Sequence, residues 1–356
     1  MKFGAVPLSQ AKGKILGHNI ADLDGRRLLR KGKSLDDQDI LALSAIGREN
    51  VYVAEIEADD VNENEAARRI AQACAGPGIG IIGPTAGRVN LLSNDLGVLR
   101  IDVDLLERIN DLEGVTLSTR VTHSLVRKRE IVATVKIIPY SLPLSQIQRA
   151  EALASAKESA VVAVDLLTPQ PVSMIFSGSA SMQEKLNQDF APLIERVQGI
   201  GSYISTTDYV ALEDAGGESQ LAAVLLRRSQ EGAKIIILAG ETAIMDRYDI
   251  IPRALERAGG KVEVIGAPVD PGNLLMLGYL GATPVLGAPG CARSKKINII
   301  DWVLPRLLAG DHIKRSEIIR LGHGGLLEDS PQRPMPRDKV EGEMPVFERE
   351  KQEDNG

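Results

Sequence analysis

KIIILAGETAIMDRYDIIP, Lys234 to Pro252, is the stretch on which the fold turns. Ile235 to Leu238 is a short apolar, β-branched run, the signature of a buried strand. Gly240 ends the run, and a polar loop follows with Glu241, Thr242, Asp246, Arg247 and Asp249. Ile250, Ile251 and Pro252 then lead into RALERAGG, which reads as a helix closed by Gly259 and Gly260. Strand, loop and helix in that order put the loop at the carboxyl end of a parallel sheet, where ligands bind in open α/β folds. Two readings fit this stretch taken alone: a ligand loop, or an ordinary βα connection with a solvated Asp.

The flanking sequence repeats the alternation. VSMIF reads as a strand and SMQEKLNQDFAPLIERVQ as a helix; GSYIST and GGESQLAAVLLRRSQEG repeat the pair. Beyond the central stretch, KVEVIG and TPVLG are strands and KKINIIDWVLPRLLAG closes with a helix. Strands alternating with helices imply crossover units and a mostly parallel sheet covered on both faces. The expectation for residues 172–326 is a three-layer α/β/α domain.

Upstream, residues 1–58 read as a β-rich module, with Asp24-Gly25 as a hairpin turn, a helix start at Ser34 and Asp37, and VYVAEI as a strand. Its basic cluster (Arg26, Arg27, Arg30, Lys31, Lys33) could hold an anion or simply be a solvated hairpin. Residues 59–150 read as an α+β unit, in which GPGIGIIGPTAGRVNLLSN matches neither a dinucleotide fingerprint nor a Walker loop. Arg88 and Asn90 could touch a phosphate-bearing ligand there; the alternative is a tight turn between strands. Residues 151–171 read as an Ala-rich helix, over 151–168, and a linker at TPQP. The tail, 327–356, is rich in Pro and charge and is expected to be disordered.

The chain has 356 residues, 25% of them charged, with a net charge of −6. That balance gives no support to binding nucleic acid or an anionic membrane, and 3% aromatic residues leave little for base stacking. Cys74 and Cys291 stand far apart, which suggests neither a disulfide framework nor a zinc site and fits a reducing cytoplasm. The N-terminus lacks a signal-peptide core, and no run reaches the roughly 18 apolar residues of a membrane span. A cytoplasmic protein is expected.

Three loops of the 172–326 domain should leave one sheet edge. They are the Gly240–Asp249 loop, GAPVDPGN (Gly266 to Asn273) and LGAPGCARSKK (Leu286 to Lys296). The last two contain Pro-Gly, which lets backbone approach a ligand closely. Ser294 stands near a helix start, whose free amides favour an anion, with Arg293, Lys295 and Lys296 beside it. Phosphate is a sensible guest. Asp249, with Asp246 or Glu241, could hold Mg²⁺, which commonly binds one or two carboxylates plus ligand phosphates.

These motifs carry a resemblance. Residues 170–310 resemble the molybdopterin-binding domain shared by molybdopterin adenylyltransferases and molybdopterin molybdenumtransferases. Ala239-Gly240-Glu241-Thr242 resembles the family's Gly-Gly-Thr loop, with Ala for the first Gly. Asp249-Ile250-Ile251-Pro252 resembles the adenylyltransferase's Asp-Val-Thr-Pro. Val269-Asp270-Pro271-Gly272-Asn273 and Leu286-Gly287-Ala288-Pro289-Gly290-Cys291-Ala292-Arg293-Ser294 resemble two loops of the molybdenumtransferase, with Cys291 where the family has Asn. LLRKGKSLDDQDILALSAIGRENVYV resembles a module N-terminal to that domain. The whole chain is similar to molybdopterin-binding proteins linked with molybdenum hydroxylase maturation.

The resemblance implies a molybdenum cofactor biosynthesis protein that binds molybdopterin or its adenylate and acts in molybdate insertion or cofactor maturation. Asp249 would be catalytic and, with Asp246, would hold Mg²⁺. Gly240, Glu241, Thr242, Pro271, Gly272, Asn273, Pro289, Gly290, Cys291, Arg293 and Ser294 would cradle the ligand. The alternative is a non-catalytic carrier of the molybdenum cofactor, handing it to a molybdenum hydroxylase or a cofactor nucleotidyltransferase such as a cytidylyltransferase. A homo-oligomer is implied. The family's acidic residue at the second crossover falls loosely on Glu213 or Asp214.

Overall fold

A computed structural model describes residues 1–212 and 216–327. Glu213, Asp214 and the tail from residue 328 lie outside the described residues. The chain divides into two compact units. One comprises Met1–Val172, Ile194–Ser205 and Trp302–His312; the other comprises Ser173–Leu193, Thr206–Asp301 and the chain from Ile313.

Two apolar cores lie among the described residues of the first unit. The smaller lies within the first 55 residues, where Leu16, Leu35, Leu43, Val51 and Val53 are buried. Lys2–Pro7 and Ile15–Leu16 flank Asn50–Glu55 in an antiparallel sheet. The Asp24-Gly25 turn joins Ile20–Ala21 to Arg27–Leu29, and the Asp22 carboxylate accepts from the amides of Asp24 and Arg26. The helix begins at Asp37 rather than near Ser34. Asp36 caps it in a reciprocal box with Asp39, whose side chain also takes Lys33. One cation of the basic cluster is thereby spent on the fold.

The larger core gathers Ala66, Ile70, Cys74, Val89, Leu91, Leu105, Ile109, Val135 and Ile147. Its sheet pairs Ile79–Thr85 with Arg88–Ser93, so the Gly-rich stretch is a hairpin, and Arg88 donates to Asn90 at 3.2 Å. The expected helix over 151–168 is corrected. The helix is Leu144–Ala154, and Val162–Leu166 is a strand antiparallel to Gly97–Ile101. Ser155 to Ser159 is short and polar, and Val161, Val162 and Val164 favour a strand. Arg100 in the Gly97–Ile101 strand grips Asp311 with two N–H groups, at 3.0 and 2.6 Å, and Arg306 adds a third at 2.7 Å.

The second unit carries most of a six-stranded, mostly parallel α/β sheet. Its strands are β1 (Pro171–Gly178), β2 (Tyr203–Ala211), β3 (Ile235–Gly240), β4 (Lys261–Ile265), β5 (Met276–Leu280) and β6 (Thr283–Gly287), ordered β2-β1-β3-β6-β5-β4. β3 and β6 are parallel. β5 runs antiparallel to both its neighbours, which leaves β4 and β6 pointing with β3. β5 is the strand that sequence reading passes over, because MLGYL sits between glycines without a helical partner.

Residues Ile235 to Ala239 are buried without a break, as a strand covered on both faces requires. Ile236 and Leu238 meet Leu221 and Leu225 of α3 (Gly217–Gln230) and Ala254 and Leu255 of α4 (Ile250–Arg257). On β1, the Phe176 ring lies 6.1 Å from that of Phe190, which falls between α1 (Gln183–Asp189) and α2 (Ala191–Gly199). The strand–loop–helix read from Lys234 to Pro252 is therefore β3, its loop and α4.

Candidate ligand cleft

A cleft of about 280 Å³ opens at the carboxyl ends of β1 and β3. It is lined by Ser177-Gly178-Ser179 after β1, Leu212 after β2, Gly240 to Ile244 after β3, and Asp249 to Ile251 at the start of α4. The order β2-β1-β3 makes the β1/β3 gap a topological switch point, where loops turn away from each other and leave a crevice.

Two side chains give the cleft its chemistry. The Ser177 hydroxyl is buried and has no hydrogen-bond partner among the described residues. A buried hydroxyl without a partner costs free energy, so such a group calls for a partner such as a water, an ion or a ligand. The second is Glu241. Its Oε2 accepts from the Ser179 amide at 2.8 Å and the Ser179 hydroxyl at 2.9 Å. The Ser179 amide, then its hydroxyl, hold the Glu241 carboxyl below the usual carboxylate range. Gly178 admits this approach: a Cβ there would stand 2.8 Å from Oε2 and 2.9 Å from the Glu241 Cβ.

Asp249 lines the cleft, but its Oδ2 accepts from the Met245 amide at 2.6 Å and so closes its own loop. Asp246 turns to its own backbone, taking the Tyr248 amide at 2.6 Å, and is not among the lining residues. Among the described residues, no group of three or more His, Cys, Asp or Glu gathers around one point. A Mg²⁺ ion needs fewer when phosphate oxygens complete its shell. Asp249 and Glu241 are the two carboxylates on the cleft among the described residues.

The other two predicted loops are placed differently. Asp270 exchanges backbone bonds with Gly325 and Leu327, and the Pro271 carbonyl accepts from the Ile299 amide. Gly272, at φ 141°, lies so close to Ile299 that a Cβ would meet its Cγ2 at 2.5 Å. The Asn273 carbonyl accepts from Ala267. In the third loop, the Ser294 amide donates to the Cys291 carbonyl, and Ser294 Oγ accepts from Lys296 at 3.1 Å. None of Pro271, Gly272, Asn273, Pro289, Gly290, Cys291, Arg293 and Ser294 lines the cleft. Arg293 does join the third loop to the first. It donates to the carbonyls of Gly240 and Glu241 at 2.9 and 3.1 Å, and lies 4.8 Å over the Phe190 ring.

Ser177, Gly178 and Ser179 were not among the residues singled out from sequence. The available signal was a Ser-Gly-Ser following the apolar run Val172–Phe176, in the same position that Gly240-Glu241-Thr242 holds after β3.

A family model described as "Domain of unknown function (DUF8806)" matches residues 5–55. No curated protein matches the sequence. Among solved structures, the chain is similar to a molybdenum cofactor biosynthesis protein from Pyrococcus furiosus, at 12% identity over 90% of this chain and 65% of that one, with a TM-score of 0.24. It thus spans just under two thirds of that protein's length. It is also similar to a molybdopterin biosynthesis moeA protein from Pyrococcus horikoshii, at 12% identity over 87% of this chain and 75% of that one, with a TM-score of 0.28. A second structure of a moeA protein from Pyrococcus horikoshii OT3 has 10% identity over 90% of this chain and 75% of that one, with a TM-score of 0.25.

Proposed function

We propose that this protein belongs to molybdenum cofactor maturation and binds molybdopterin, or its nucleotide adduct, through the phosphate end in the β1/β3 cleft. The observation that carries the reading is the unpartnered Ser177 hydroxyl on a switch-point cleft. The resemblance of Ala239 to Thr242 and of Asp249 to Pro252 to loops of the molybdopterin-binding family supports the pterin over other phosphate esters. Anaerobic calorimetry with molybdopterin and with its adenylate is the test. Saturable heat at one site per chain supports the proposal, and no heat from either ligand refutes it.

Between a transferase and a carrier, one observation favours the carrier: Asp249 spends Oδ2 on its own loop. In a transferase, Asp249 would meet a Mg²⁺ ion, whose chemistry is to neutralise charge on the phosphate. The discriminating assay is AMP release from molybdopterin adenylate with molybdate and Mg²⁺. Release that vanishes in Asp249→Ala establishes the transferase; binding without release leaves the carrier.

A further inference from the structure

We propose that Glu241 is an internal stand-in for the ligand's phosphate: its carboxylate occupies the anion seat and must swing out before the ligand binds. This rests on the reading of the cleft as a phosphate site.

The seat is built from two donors on one residue, the amide and the hydroxyl of Ser179, both directed at Glu241 Oε2. Hydrogen bonds of this kind to an ionised acceptor are short and strong, and phosphate oxygens accept them as readily as carboxylates. Positive charge lies nearby, since Lys185 and Arg293 both stabilise the Glu241 anion. Arg293 is fixed there by the Gly240 and Glu241 carbonyls, by the face of Phe190, and by the Asp189 carboxylate at 3.9 Å. It remains beside the seat whichever anion fills it. The Ser177 hydroxyl, with no partner, is a further donor on the same cleft.

Electrostatics then requires displacement. Glu241 and Asp249 are both on the cleft, and no Lys or Arg is among its described lining residues. An incoming phosphate meets two like charges unless one leaves. Glu241 can leave by side-chain rotation alone, because its backbone amide stays bonded to the Ser177 carbonyl at 2.9 Å. The exchange trades two charge-assisted bonds for two, so the ligand must be the better acceptor. A phosphate monoester, with a charge of about −1.5 to −2 and three oxygens, outcompetes a carboxylate. A carboxylate ligand only matches the residue it displaces. The seat therefore selects phosphate monoesters over carboxylates.

The test is calorimetry at pH 7.5 on the full chain, with inorganic phosphate and molybdopterin as probes. Glu241→Gln keeps an amide oxygen to accept from Ser179 while removing the charge; Glu241→Ala empties the seat. Circular dichroism and thermal unfolding confirm that both variants fold. Both should bind phosphate at least tenfold more tightly than the native protein, and adding Ser179→Ala to Glu241→Gln should reduce that gain. Equal phosphate affinity in native and variant proteins, with molybdopterin still binding, overturns the stand-in and leaves the cleft reading intact. Weaker molybdopterin binding in both variants makes Glu241 a direct ligand contact and also overturns it. Failure of the native protein to bind molybdopterin removes the cleft reading, and the inference with it.

Discussion

Two glycine-bearing loops, Gly240–Asp249 and Gly266–Asn273, look alike in sequence and do different work. In the second, the backbone groups of Asp270, Pro271 and Asn273 are consumed by Gly325, Leu327, Ile299 and Ala267. Gly272 is a glycine because Ile299 leaves no space for a side chain. In the first, Glu241 and the neighbouring Ser177 line a cleft, and the buried Ser177 hydroxyl has no partner among the described residues. The difference teaches that glycine marks close approach without saying of what. Only the destination of the polar groups separates a loop that lines a cleft from one that packs against the fold.

The contrast breaks most visibly at Gly272. Gly272→Ala should destabilise the fold by ~3 kcal/mol, since the new Cβ meets both strain and Ile299. Denaturant titration reads the loss, and unchanged stability would show that loop to be open. Ligand affinity of the folded fraction should not change.

Charge gives the next comparison. Asp311 is spent on the fold as Asp270 is, held by Arg100 and Arg306. Burial pushes its carboxyl up, but the bonds from Arg100 and then Arg306 outweigh this and hold it below the usual carboxylate range. A depressed carboxylate contributes stability that is present above its unfolded pKa of about 3.9 and lost as pH falls through the folded value. Asp311→Asn should cost about 2 kcal/mol at neutral pH, less than a fully buried pair. It should also flatten the fall in stability below about pH 4, measured by urea unfolding across pH.

Asp249 is the intermediate case, serving its loop and lining the cleft at once. Asp249→Ala should cost only about 1 kcal/mol for the lost Met245 bond, and, because it removes one of the two like charges on the cleft, should not weaken molybdopterin binding measured by calorimetry without Mg²⁺. Asp246 is the smallest. Asp246→Asn should stay within about 0.5 kcal/mol of native and leave affinity unchanged; a loss there would restore Asp246 as a metal ligand.

Much of the sheet was legible in the sequence. The run Ile235 to Leu238 and the glycines after α4 announce strand and helix by pattern alone, because burial on both faces demands uninterrupted apolar residues. The strand Val162–Leu166 was hidden behind the alanines before it, whose helix preference ends at Ser155. β5 was hidden because an antiparallel strand next to a hairpin needs no crossover helix to advertise it. Of the residues lining the cleft, Gly240 to Thr242 and Asp249 were readable from their place at a strand end. Ser177 and Ser179 were not, since serine after a strand is common and only the fold shows that one is buried without a bond. The loops from Pro271 and Pro289 read as ligand-facing because Pro-Gly permits close approach; in the first, close packing of Gly272 against Ile299 uses that freedom.

The most direct test is Ser177→Ala, measured for thermal stability and for anaerobic molybdopterin affinity. Removing a buried hydroxyl that has no partner should raise stability by about 1 kcal/mol, while losing a ligand donor should weaken binding about tenfold. A variant that is less stable and binds molybdopterin as tightly as the native protein would contradict the account.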